Sequence, residues 1–227
     1  MRSLAQPEVL KSAATAAFAC SVACYPRLSL WLNRPYYLWY LEAVLFLCGI
    51  VLWGFVFAWH TKYTRRPVFA WKVGVVPFAV TTLTGVCLAV ALHVWLDPML
   101  RIRTPEDYPQ TLFQWIALVL FTLAFTQLYL VFAAFAWFVR LFQNTPMAAI
   151  LTVLFGVFVL LIKNHASPTP MPTALLTGLL ISRLALGALS VYFFLRGGVL
   201  LAWWWGLLLQ SRHLWGLDAF NGQGAGG

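Results

Sequence analysis

Charge is what this chain has least of. Of its 227 residues only 9% are charged and six are acidic, where a soluble domain carries roughly a quarter charged. With 62% of the chain hydrophobic, too little polar surface is left to cover a water-facing core. Other absences narrow the class further. There are no stretches of about ten residues alternating apolar and polar, so a membrane β-barrel is excluded. No HExxH string is present, which excludes a zincin site. The four cysteines, Cys20, Cys24, Cys48 and Cys87, show no CxxC spacing and lie inside apolar runs, so they read as small buried residues rather than as a disulfide framework or metal site. No internal repeat is visible.

What is present is a series of apolar runs. They cover residues 37 to 59, 72 to 96, 111 to 139, 146 to 162 and 173 to 195, with a shorter segment from 198 to 211. A bilayer core about 30 Å thick needs roughly 20 helical residues to cross, and in lipid every backbone polar group must be paired within its own segment. The chain is therefore expected to be all-α, a polytopic transmembrane helical bundle with six to seven spanning helices. Residues 1–217 form one membrane domain, and the Gly-rich residues 218–227 read as a flexible tail.

The N-terminal run Ser12 to Cys24 has a superficial likeness to a secretory signal. Pro7 and Glu8 interrupt what should be a basic leader, so a retained first helix is expected. Prolines stand at most boundaries, and Pro77 alone lies inside one of the strong spans, where a kink is expected. The run 111 to 139 would reach about 43 Å as a straight helix, so it must tilt or project. Gly197 and Gly198 interrupt the last apolar stretch and predict a hairpin or re-entrant end.

The net charge of +9 comes from basic residues scattered singly or in pairs between the runs. Anionic headgroups are their expected counterpart, and nucleic acid is not. Lys62, Arg65, Arg66 and Lys72 form the densest positive cluster, which assigns that loop to the cytoplasm. Seven crossings would then put the N-terminus in the cytoplasm and the tail outside. Tyr36, Tyr37, Trp39, Tyr40, Trp59, Tyr63, Trp71 and Trp95 fit an interfacial aromatic belt. The run Trp203-Trp204-Trp205 reads as an interface anchor or a helix-packing surface.

Ionisable groups inside spans are costly and are candidates by default. Two qualify, Glu42 and Arg183, and a buried ion pair between them would neutralise both. Among the histidines, His60 and His93 fall at opposite membrane faces, whereas His93, His165 and His213 are weak ligand candidates that could share a side. Paired imidazoles at one depth are what haem ligation needs, but each histidine sits at a helix end, where a wetted, non-ligating role is the plainer reading.

The strings LYLVFAA (Leu128 to Ala134), QNTPMAAILTVLFGVFV (Gln143 to Val159) and LGALSVYFFLRGGVLLAWWWGLLLQ resemble the CAAX-protease and bacteriocin-processing (abortive-infection) family of intramembrane endopeptidases. The resemblance covers about the second half of the chain and rests on small-apolar spacing and glycines. In that family a glutamate pair precedes Phe-Arg-Gly, and histidines follow on later helices. Here the glutamates fall on Leu128 and Tyr129, the arginine on Ala133, the first histidine on Val159 and the second on Gly206 or Leu207. The asparagine falls on Gln210 or Ser211. The resemblance thus implies a degenerate member, since these side chains cannot perform the acid-base chemistry the carboxylates would supply.

The leading expectation is a non-catalytic polytopic membrane protein acting as an accessory or scaffold subunit. Its partners are the lipid bilayer and other membrane proteins, in a bacterial inner membrane. The alternatives are an active endopeptidase of the resembled family and a haem- or pigment-binding or transport protein. No catalytic residue, metal or cofactor is assigned.

Overall fold

A computed structural model describes residues 6–31, 35–105, 108–167 and 171–217. Arg34, Glu106, Asp107 and the 218–227 tail lie outside the described residues. The chain is all-α, and six helices are long and apolar enough to cross a membrane. They are α1 (Pro7–Trp31), α2 (Tyr36–Thr64), α3 (Val75–Trp95), α5 (Leu112–Phe142), α6 (Thr145–Ala166) and α7 (Thr173–Ser211). A short α4 (Asp97–Arg103) follows α3. The N-terminal segment is thus a helix of 25 residues.

Local chemistry sets the ends. Thr111 accepts from the Gln114 backbone N–H at 3.2 Å to start α5, and Asn144 does the same for Met147 at 3.0 Å to start α6, each pairing an N–H that has no partner within its helix. Left-handed Arg65 and Gln143 close α2 and α5. Residues 72 to 74, expected to belong to the next span, precede α3 instead. Pro77 consequently sits in the first turn of α3, where its missing N–H removes no helical bond and no kink is required.

Packing begins with α1 against α2. Ala13, Ala17, Cys20 and Cys24 recur at three- and four-residue spacing and are all buried. A Cβ on Gly49 would stand 3.1 Å from the Ala17 Cβ, so the two backbones approach closely because neither carries bulk there. Cys48 and Cys87, in contrast, face outward.

Three segments are wound as π-helix: Val56–His60 in α2, and Thr122–Thr126 and Leu128–Ala133 in α5. Wider winding exposes carbonyls to side-chain donors. Trp203 donates through Nε1 to the Leu123 carbonyl at 2.8 Å, and the Cys20 thiol donates to that of Ala124 at 3.2 Å.

Helix α7 runs for 39 residues but is non-helical at Gly197 and Gly198. Trp205 Nε1 donates to Ser190 Oγ at 3.0 Å, whereas fifteen residues of straight helix would separate them by about 22 Å. The chain therefore folds back at the two glycines into a first arm, 173–196, and a second arm, 199–211, as the sequence predicts. Gly198 has φ of 66° and ψ of −160°, a region open to glycine alone. A Cβ there would lie 2.4 Å from the Val68 carbonyl oxygen. The fold-back is held from outside by the 66–70 segment: Val199 N–H donates to Val68 O at 3.0 Å, and Arg66 Nη1 donates to Leu195 O at 2.7 Å and Arg196 O at 3.2 Å.

Candidate functional site

Glu42 and Arg183, the two charges expected to pair, do not meet. Glu42 is buried and accepts a hydrogen bond from the Ser21 hydroxyl across the α1–α2 contact. Arg183 lies on the first arm of α7, turned toward α6, with its Nε donating to the Gly156 carbonyl at 3.4 Å. The expected Glu42–Arg183 pair is not formed, because each side chain is held by the helix next to its own.

An ionised cluster forms instead around Asp97, a residue whose place outside the spans concealed it. Asp97 is 1% exposed. Its carboxylate takes Arg212 Nε at 3.2 Å and a hydrogen bond from the Tyr108 hydroxyl at 3.0 Å, with His93 Nδ1 at 3.7 Å. The Arg101 guanidinium lies 5.1 Å over the Tyr108 ring. His213 meets that ring edge-on at 5.2 Å, and His93 meets Trp215 at 5.3 Å. Burial, helped by the nearby Arg212 and Arg101, pushes His213 down to about 3, and burial together with the Asp97 charge pushes Tyr108 up. The cluster fastens the end of the second arm to α3 and α4.

The weak ligand candidates thus divide. His93 and His213 share this cluster, packed edge-on against Trp215 and Tyr108 with the Nδ1 of each lacking a hydrogen-bond partner, whereas His165 is exposed on α6. Among the described residues no group of three or more His, Cys, Asp or Glu is arranged to hold a metal. His60 is 1% exposed and packs on Phe194 and Phe135 at 4.6 and 6.4 Å, with neither ring nitrogen hydrogen-bonded.

The positions that carry catalysis in the resembled family can be placed directly. Leu128 is fully buried in the core. Tyr129 and Ala133 line an apolar groove of about 160 Å³ walled by Phe55, Trp137, Phe138 and Phe155. Val159 packs against the main core, and Gly206 abuts Leu123 and Gln127. None of these side chains is a carboxylate or an imidazole.

A second, polar cavity of about 200 Å³ lies between α5, α6 and both arms of α7. Arg183, Gln127, Thr126, Thr152, Ser190 and Gln210 are on its walls. Both π-helical segments of α5 contribute, and such segments recur at functional sites. The three consecutive tryptophans are packing donors rather than interfacial anchors. Successive residues turn by about 100° on a helix, so Trp203 reaches α5, Trp204 donates to Thr82 Oγ1 of α3 at 3.0 Å, and Trp205 donates to the first arm.

Compared with known proteins, the chain matches no family model, no curated protein and no solved structure. The likeness to intramembrane endopeptidases therefore rests on the quoted residues alone.

Proposed function

We propose that this chain is a non-catalytic polytopic membrane protein, an accessory or scaffold subunit of pseudoprotease type that receives a transmembrane segment of a partner. The observation that carries this reading is the apolar groove at Tyr129 and Ala133. It retains a concave surface where the resembled enzymes would present carboxylates, and it offers hydrocarbon and aromatic faces only. Ala133 and Ala134 form a floor low enough for another helix to approach, while Trp137 and Tyr129 are about two-fifths exposed at its rim. Small residues beneath aromatic walls favour helix–helix packing in lipid, where close contact supplies the attraction. A bacterial inner membrane is the setting this reading assumes.

The test is purification of the full chain in mild detergent. A partner membrane protein should copurify at fixed stoichiometry, and Trp137→Ala at the exposed rim should dissociate it while the purified protein keeps its thermal unfolding temperature within a few degrees. A monodisperse, partner-free wild-type protein would count against the proposal. So would processing activity that is lost in Glu42→Gln, because it would restore a buried intramembrane carboxylate to a chemical role.

A further inference from the structure

Arg183 lies ten residues into α7, about 15 Å along the helix and so near the middle of a core about 30 Å thick. An arginine at that depth is costly unless its charge is balanced. The ion pairs of Asp97 are with Arg212 and His93, and the polar contact that Arg183 makes is one long bond to the Gly156 carbonyl. Room for it comes from Gly156, where a Cβ would stand 3.1 Å from Nε and 3.2 Å from Nη2. Arg212 also borders the cavity but is neutralised by Asp97 at 3.2 Å, which leaves one positive charge uncompensated. Gln127 and Gln210, both on the wall, have buried side-chain oxygens without a hydrogen-bond partner. The cavity is thus polar, incompletely paired and positive by one unit.

It also has a neighbour. An apolar groove of about 390 Å³ runs along the outer side of α6 and the first arm of α7, lined by Ala149, Ile150, Leu154, Leu184 and Ala188 among others. Val153 and Val191 line both spaces, so the polar cavity and the apolar groove adjoin across these two side chains. Ile150, Leu154 and Leu184 are exposed, which opens the groove toward the acyl region of a membrane.

We propose that cavity and groove together bind a single-chain anionic amphiphile, its singly charged oxyanion on Arg183 and its acyl chain between α6 and α7. A guanidinium presents paired donors to two oxygens of a carboxylate or phosphodiester, and one negative charge matches the one charge left over. The chain seats the amphiphile by close packing against α6 and α7, the attraction available in lipid. The head supplies selection.

The test uses the full-length protein in neutral detergent, with intrinsic tryptophan fluorescence and native mass spectrometry as readouts. The probes are oleate and oleoyl-lysophosphatidylglycerol as amphiphilic anions, acetate and dimethyl phosphate as free anions, and oleyl alcohol as the uncharged chain. The wild type should bind at least one amphiphilic anion with a saturable 1:1 stoichiometry, at least about tenfold tighter than the alcohol, with the free anions weaker still. Arg183→Gln should erase the preference over the alcohol, and Arg183→Lys should keep part of it. Ala188→Trp, which fills the groove and leaves the arginine intact, should abolish binding of the amphiphiles, and it serves if Arg183→Gln does not fold. Equal binding of anion and alcohol by the wild type would overturn the proposal, as would unchanged selectivity in Arg183→Gln. Free anions binding as tightly as the amphiphiles would overturn the assignment of the groove. The partner-helix groove at Ala133 is a separate surface, so these outcomes are independent of the copurification test.

Discussion

The first hairpin and the last helix of this bundle are built from the same apolar alphabet but are held by different forces. Between α1 and α2 the contact is largely steric, with Ala13, Ala17, Cys20 and Cys24 against a helix that has Gly49 opposite Ala17, and with a polar link from Ser21 to Glu42. Helix α7 folds back on itself and is knitted to its surroundings by directed bonds: three indoles donate to three different elements, Arg66 caps the carbonyls at the break, and Arg212 grips Asp97. Small residues suffice where two helices run side by side. A helix reversed within two residues leaves backbone groups exposed at the break, and in lipid those need partners supplied from elsewhere.

The comparison breaks most readily at Gly198. Gly198→Ala puts a Cβ into the Val68 carbonyl in a conformation reserved for glycine, so a destabilisation above about 3 kcal/mol is expected. Hydrogen exchange should rise first in the second arm and the 66–70 segment, with α1 and α2 still protected. If the two regions lost protection together, the break would not be an independent point of weakness.

A smaller effect is expected at the directed bonds. Trp205 is fully buried, and Trp205→Phe removes ring volume together with the donor to Ser190, at a cost of about 2 kcal/mol. Ser190→Ala should add little in the double variant, since both act on one bond. Full additivity in a thermal-unfolding cycle would show that volume, not the hydrogen bond, holds the arms together.

The smallest effect is on pH. His213 is held neutral with its pKa lowered to about 3, against an ordinary value of about 6.5. Below 6.5 the unfolded chain binds a proton that the folded chain refuses. The stability this residue contributes is therefore complete above about pH 6.5 and is lost progressively as pH falls toward 3. Between pH 7 and pH 5.5 the loss should be about 1 kcal/mol, and His213→Asn should flatten that slope. An unaltered slope would move the acid sensitivity to another group.

Much of the architecture was legible in the chain. Run length and hydropathy locate the spans to within a few residues, because a bilayer imposes one length on every helix. The glycine pair announces the fold-back, since no other residue tolerates the backbone at Gly198. Pro77 misleads by position alone: it falls in a first turn rather than mid-span, and the difference depends on where Gly74 begins α3. The candidate sites were harder to see. Asp97 looks like an ordinary loop acid, and its role depends on Tyr108 and on Arg212, more than a hundred residues away, arriving at the same end of the bundle. Glu42 and Arg183 invite pairing as the two intramembrane charges, yet charge sign carries no information about which helices are neighbours.

The sequence by itself determined that this is a helical membrane-spanning chain with no carboxylate or imidazole at the positions its resemblance singles out. Those properties are local, fixed by composition, by run length and by the side chains at individual positions. The tertiary structure alone decided that the three tryptophans are hydrogen-bond donors to three elements, that Arg183 faces a polar cavity beside an apolar groove, and that no carboxylate among the described residues answers it. Such pairings depend on helix rotation and neighbour choice, which arise only when the helices pack.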